Sequence, residues 1–373
     1  MATLLDDRGV TQRVFDHIEA GTTDMSDGIW REPVANYRSP ERLAAEIERV
    51  LRRYPTLFCP SAALAEPGAF VAREAAGTPL VVVRGADGQV RAFRNSCRHR
   101  GMQVATGTGC AKAFACRYHG WTYDLDGRLG YVPHEHGFPG LDKERHGLVP
   151  VHAVVERQGL VFVTQDPGGP ADTGLDELPE LIAPDQNLFG ARENTTAANW
   201  KIFLEGFVEG YHIRPTHPKT FYPFGFDNLN VVEYFGRNSR VTFPFQRIKK
   251  LAAVPEAERR VDGAVTFVYQ LFPNAIIAVL SHHTVVTILE PAGTSETRSV
   301  TYSLTNRPTG DEDPAAAAKR DAAFVSQTGA AEDNAVVCAI QKGIASGANE
   351  HFTYGRFEGA IAHFHRSLDA LLG

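Results

Sequence analysis

Long apolar runs are what this 373-residue sequence most clearly lacks. Its most hydrophobic stretches, around residues 80–83 and 275–280, fall far short of the roughly 20 consecutive apolar residues that cross a bilayer. The N-terminus, Met1-Ala-Thr-Leu-Leu-Asp-Asp, lacks the basic-then-apolar layout of a signal peptide, so a cytoplasmic location without membrane partners is expected. Basic blocks are missing too: 38 Lys and Arg stand against 44 Asp and Glu, for a net charge of −6. Nucleic acid is therefore not an expected partner, because binding its phosphates requires a concentrated positive field. Cysteine is scarce and odd in number, with Cys59, Cys97, Cys110, Cys116 and Cys338. In a reducing compartment that argues against a disulfide framework and for metal or thiol chemistry.

What is present is ordinary for a folded chain, 43% hydrophobic and 22% charged, and the length suggests two or three domains. Residues 1–45 read as a helical segment, and Leu43, Ile47 and Leu51 recur at helical spacing. Residues 54–165 read as short strands and tight turns. One hairpin is signalled by Ala86-Asp87-Gly88 between two strand runs, and others surround Asp126-Gly127 and Gln158-Gly159. The Pro/Gly-rich run 165–172 marks a junction. Beyond it, long helical patterns alternate with strands at 266–271 and 276–289, and the chain closes on an amphipathic helix bearing Phe357, Ile361, Phe364, Leu368 and Leu372. The whole reads as α+β, an all-β domain followed by a mixed one.

Two cysteine–histidine pairs lie in the β region: Cys97-Arg-His99 and, after sixteen residues, Cys116-Arg-Tyr-His119. Two thiolates and two imidazoles suit tetrahedral zinc. They equally suit a Rieske [2Fe–2S] centre, with two thiolates on one iron and two imidazoles on the other. A single residue inside the first pair, Arg100-Gly101 after His99, and Gly120-Trp121 after His119 resemble the Rieske motif. Met102 and Trp121 stand where respiratory Rieske proteins carry further cysteines, so the resemblance is to the ferredoxin and oxygenase branch. Cys59, Cys110 and Cys338 are then expected to be packing residues.

In the segment from Asn199-Trp-Lys to His217-Pro, Glu205, Glu209 and His212 follow i, i+4, i+7 and are expected on one helix face. Pro215 should end that helix and let His217 return toward His212. Asp333, on a helix anchored by Val336, Val337 and Ile340, is the candidate third ligand. Two histidines and a carboxylate leave positions open on Fe(II) for dioxygen and substrate.

With these motifs, residues 45–373 resemble the catalytic α subunit of the Rieske non-haem iron, ring-hydroxylating oxygenases. The resemblance implies a [2Fe–2S] domain at 46–165, holding its cluster on Cys97, His99, Cys116 and His119. It implies a helix-grip catalytic domain at 166–373, with mononuclear iron on His212, His217 and Asp333, and the 1–45 segment packed on it. It also implies a homotrimer in which Glu209 links His212 to His119 of the neighbouring subunit as the electron relay. The family usually has Asp there; Glu is similar to the pattern in some oxygenases acting on quaternary ammonium compounds. The implied partners are O₂ and a reductase, with or without a ferredoxin, that draws electrons from NAD(P)H.

Phe203, Phe207, Phe224, Asn228, Tyr269 and Phe324 are candidates for the substrate pocket, although aromatics fill cores as readily as pockets. Of His282 and His283, strand alternation should turn one inward as a hydrogen-bonded core histidine. An apolar pocket favours hydroxylation of an aromatic or other hydrophobic substrate. A quaternary ammonium, amine or methyl ether is the enzymatic alternative, since aromatic faces bind cations, and a bare electron carrier is the non-enzymatic one.

Overall fold

Helix α1 (Asp7–Ala20) begins where the Asp6 side chain accepts the Gly9 N–H and ends at Gly21. The computed structural model describes residues 4–306 and 313–373, so the first three residues of the N-terminal stretch lie outside it. Val10 and Val14 on α1 pack with Leu229, Val231, Ile248 and Val265. After β1 (Trp30–Pro33) and α2 (Ala35–Arg38), Ser39 caps α3 (Pro40–Ala45), with Pro40 in the first turn where its missing N–H costs nothing. The helix then widens into a π turn through Leu51, in which Glu46 is fully buried.

The chain divides into two units: the described residues up to Val50 with Asp172–Pro179 and those from Asp185 onward, and Leu51–Ala171 with Glu180–Pro184. The junctions differ from the expected 45/46 and 165/166. Residues 46–50 stay with the first unit because Glu46 accepts from Trp200 and Lys201. Residues beyond 165 stay with the second, where Gln165 N and Asp166 N both donate to Arg52 O.

The second unit is all β. Its strands are β2 (Thr56–Pro60), β3 (Ala69–Ala75), β4 (Thr78–Arg84), β5 (Val90–Arg94), β6 (Gly107–Cys110), β7 (Phe114–Ala115), β8 (Thr122–Tyr123), β9 (Leu129–Tyr131), β10 (Ala153–Arg157) and β11 (Leu160–Thr164). They form antiparallel sheets in the orders β5-β4-β3-β6, β7-β8-β9 and β10-β11-β2. Val81, Phe93, Phe114, Trp121, Tyr123 and Leu129 share one core with Cys97 and Cys116.

The first unit is built on β12 (Leu188–Thr196), followed by α4 (Trp200–Glu205), α5 (Ile213–Thr216) and β13 (Val231–Phe235). Next come β14 (Asn238–Pro244), β15 (Val265–Leu271), β16 (Ala275–Val279), β17 (His283–Gly293) and β18 (Glu296–Thr305). These seven strands make one antiparallel sheet in the order β12-β18-β17-β16-β15-β14-β13. Helices α6 (Pro314–Gln327) and α7 (Gly329–Ile344), strand β19 (His351–Tyr354) on β1, and α8 (Gly359–Leu372) complete it. Ile361, Phe364 and Leu368 are the buried stripe of α8, as their spacing predicts. The α+β class read from the sequence is the one observed.

Candidate active site

The two Cys-His loops are backbone copies of each other. Cys97 N donates to Met102 O and Gly101 N to Cys97 O, both at 2.8 Å; Cys116 N donates to Trp121 O at 2.8 Å and Gly120 N to Cys116 O at 2.9 Å. Gly120 needs to be glycine: its φ is +75°, and a Cβ would stand 2.9 Å from Pro133 Cγ. The loops bring the His99 and His119 ring centroids to 4.6 Å, with His99 stacked on Trp121. Tyr123 Oη lies 3.2 Å from Cys97 Sγ, and burial together with Cys97 pushes the Cys116 thiol up. Among the described residues, the buried His99 Nδ1 has no hydrogen-bond partner. A lone pair left unmet beside two buried thiols and a second imidazole fits an iron–sulfur cluster held by these four residues.

The other three donors come from α5 and α7. Asn199 caps α4 by accepting Lys201 N at 3.0 Å, while Lys201 Nζ reaches Glu46 at 2.7 Å and Trp200 Nε1 reaches it at 3.1 Å. The helix then stops at Glu205 rather than running to residue 212, so the expected common face of Glu205, Glu209 and His212 does not form. Past Glu205 the backbone tightens into i→i−3 turns, Phe207 N donating to Leu204 O at 3.0 Å and Val208 N to Glu205 O at 3.1 Å, with Gly206 at the helix end. Glu205 turns instead into a buried cluster, accepting from Tyr37, Tyr354 and His365 at 2.7–2.8 Å. Glu209 folds over the turn, where its carboxylate accepts from Tyr211 N, His212 N and His212 Nδ1. Pro215 sits inside the single turn of α5, whose two ends are His212 and His217.

Both histidines are fixed the same way. His212 Nδ1 is held by Glu209, and His217 Nδ1 by Glu332 at 2.7 Å, which also accepts from Thr220 Oγ1 at 2.7 Å. That leaves the Nε2 atoms facing Asp333 Oδ1, at 2.9 Å from His217 and 3.6 Å from His212. The three donor atoms lie within 4.8 Å of one another. Burial opposes charging either ring, but the carboxylates outweigh it, chiefly Glu209 for His212 and Asp333 for His217, and both titrate above the ordinary histidine value. Hydrogen bonds from His217 and Thr220 hold Glu332 below the usual carboxylate range. Carboxylate-oriented imidazoles with one free ligand carboxylate fit a 2-His-1-carboxylate iron site. Glu332 carried no spacing signal; only its position beside Asp333 hinted at it. Val337 and Ile344 anchor α7, whereas Val336 and Ile340 are exposed.

Beside these donors is a cavity of about 680 Å³ between the sheet and helices α4 to α7. Phe203, Phe207, Phe224 and Phe324 line it, with Phe221 added; Asn228 and Tyr269 do not. On β15 alternation sends Thr266 and Val268 to the cavity and Tyr269 to the other face, where Arg240 covers it and Phe267. Asn228 turns the chain at φ +49° and accepts from Asn230, which takes the lining position. His283 is the inward member of its pair, bonded to Asp321. Among the remaining cysteines Cys59 is buried, its thiol pushed up to about 12, while Cys110 is exposed on edge strand β6 and is not a packing residue. Among the described residues no helix is long and apolar enough to cross a membrane.

Residues 184–373 match the family model for the ring hydroxylating alpha subunit (catalytic domain), and residues 55–148 that for the Rieske [2Fe-2S] domain. The chain is 32% identical over 220 residues to the carnitine monooxygenase oxygenase subunit of Acinetobacter pittii (strain PHEA-2), covering 56% of this chain and 57% of that one. It is 35% identical over 217 residues to the chlorobenzene dioxygenase subunit alpha of Cupriavidus sp. (strain PS12), covering 55% and 46%. The chain thus spans about half the length of the curated relatives it matches. A solved structure of the quaternary ammonium Rieske monooxygenase CntA with L-carnitine shares the fold, with a TM-score of 0.78 at 23% identity, over 93% of this chain and 97% of that one.

Proposed function

The chain belongs to the ring-hydroxylating α-subunit family, and on that premise we propose that it is the terminal oxygenase component of a multicomponent Rieske system. It uses O₂ and electrons passed from NAD(P)H by a reductase, with or without a ferredoxin, to oxidise a small molecule held in the cavity. The observation that carries this reading is the triad His212, His217 and Asp333 on the wall of that cavity, with both imidazoles oriented by carboxylates. A bare electron carrier has no use for such a site.

When bound on Cys97, His99, Cys116 and His119, the cluster supplies electrons singly, and iron on the triad supplies the site for dioxygen. The chain's residues do the rest. Glu209 and Glu332 keep each Nδ1 protonated, so that Nε2 is the lone-pair donor, and the phenylalanines exclude water and seat the substrate. We place Glu209 as the bridge from His212 to His119 of a neighbouring subunit in a head-to-tail trimer, supported by its hold on His212.

The phenylalanine walls support an aromatic or other hydrophobic substrate. A quaternary ammonium or amine is the second reading, supported by glutamate at 209 and by similarity to the carnitine monooxygenase subunit. Iron and sulfide analysis tests the reading: one mononuclear iron beyond the two of the cluster is expected, and its absence would leave only the electron carrier. Glu209→Ala should abolish turnover with both metal contents intact; full activity in that variant would remove the relay role.

A further inference from the structure

Asp333 and Glu209 belong to the metal site, yet the cavity wall carries a third carboxylate, Asp321. It sits on α6 with Phe324 and Val325, at i, i+3 and i+4, and all three line the cavity. Asp321 Oδ2 accepts His283 Nδ1 at 2.9 Å and His282 N at 3.2 Å. Since His283 is 1% exposed at the start of β17, the carboxylate is fixed from the sheet as well as from its own helix. Burial pushes Asp321 up, but His283 and His282 outweigh it and hold the group below the usual carboxylate range, so it is ionised at neutral pH. Among the described residues no hydrogen bond reaches its Oδ1. Arg247, whose charge it feels, is engaged instead with Ser281 Oγ and Gly263 O.

The Phe324 ring stands 6.3 Å from Phe221 and 6.5 Å from Phe224, both also on the cavity wall. A fixed anionic carboxylate on the same cavity wall as three aromatic rings offers a bulky cation losing its water opposite charge and ring faces in one chamber. An uncharged hydrocarbon gains nothing from a carboxylate and must strip it of solvent. We propose that Asp321, positioned by His283, is the specificity-determining anchor for a positively charged nitrogen on the substrate, seated against Phe221, Phe224 and Phe324. Charge then selects the substrate, and the oxidised carbon is the one reaching the His212–His217–Asp333 end. The last step alone rests on the oxygenase reading; binding does not.

The test is calorimetric titration of the full chain with choline, its neutral isostere 3,3-dimethyl-1-butanol, and indole. Choline should bind the native protein about tenfold more tightly than the isostere, and Asp321→Asn should erase that preference while cluster absorbance and iron content stay native. Asp321→Glu should keep part of it. Phe324 is 42% exposed, so Phe324→Ala is a second, structurally mild variant expected to weaken choline about threefold and to decide the matter if Asp321→Asn does not fold. Equal affinity for choline and the isostere, no choline binding, or tighter indole binding that Asp321→Asn leaves untouched would each overturn the proposal. A chain that binds choline but holds no mononuclear iron would overturn the oxygenase reading instead.

Discussion

His99 in the Cys-His loops keeps a buried Nδ1 that no group among the described residues meets, whereas His212 and His217 each have Nδ1 claimed by a carboxylate. The loops are shaped by backbone: two glycine turns with matching main-chain hydrogen bonds within six residues of sequence. The iron site is shaped by side chains brought from far away, His217 and Glu332 being 115 positions apart. The difference teaches where each site is vulnerable. A backbone-shaped loop suffers from strain, and a side-chain-shaped site suffers from the loss of any one partner.

Asp333→Ala should have the largest effect, removing mononuclear iron and turnover while the reduced-state Rieske spectrum persists; loss of both signals together would break the contrast. Next is Lys201→Met. It removes one of the two cations on the fully buried Glu46 carboxylate and leaves Arg42 at 3.0 Å, so unfolding of the catalytic portion should be favoured by about 1–3 kcal/mol, read as a lower Tm. Glu332→Gln keeps the size but weakens the hold on His217, and iron affinity should fall about 10–100-fold by competition with a chelator, with cluster content unchanged. The smallest is Gly120→Ala, which forces a side chain into a positive φ against Pro133. A local cost of about 1–3 kcal/mol should appear as easier cluster loss, with the iron site untouched.

The same contrast explains what was legible in the sequence. The grouping of Cys97, His99, Cys116 and His119 could be read directly, because a turn fixes such side chains by local spacing. His212, His217 and Asp333 were legible as residue types, but their supporting geometry was not. Helical periodicity places Glu205 with Glu209 and His212, but the chain leaves the helix at Gly206 through tight turns, and periodicity carries no sign of that stop. Tyr269 looked like a pocket residue because aromatics carry no label for which sheet face they occupy, and register with Arg240 settles it. Cys110 looked apolar by type but lies on a sheet edge. Glu332 and Asp321 act through single partners distant in the chain, His217 and His283, which no short-range pattern encodes.

Helix α4 draws its support from the other end of the sequence. Lys201 and Trp200 are tied to Glu46, and Asn199 Nδ2 is spent on Tyr37 O and Thr294 O. A fragment cut at residue 184, where the catalytic family match begins, would contain His212, His217 and Asp333 yet would take Glu46 away from the buried Lys201 and Trp200, and Tyr37 O away from the Asn199 cap. Tyr37 and Glu46 are therefore part of the foundation beneath the His212–His217–Asp333 cluster, and the compact unit that carries it is discontinuous in sequence.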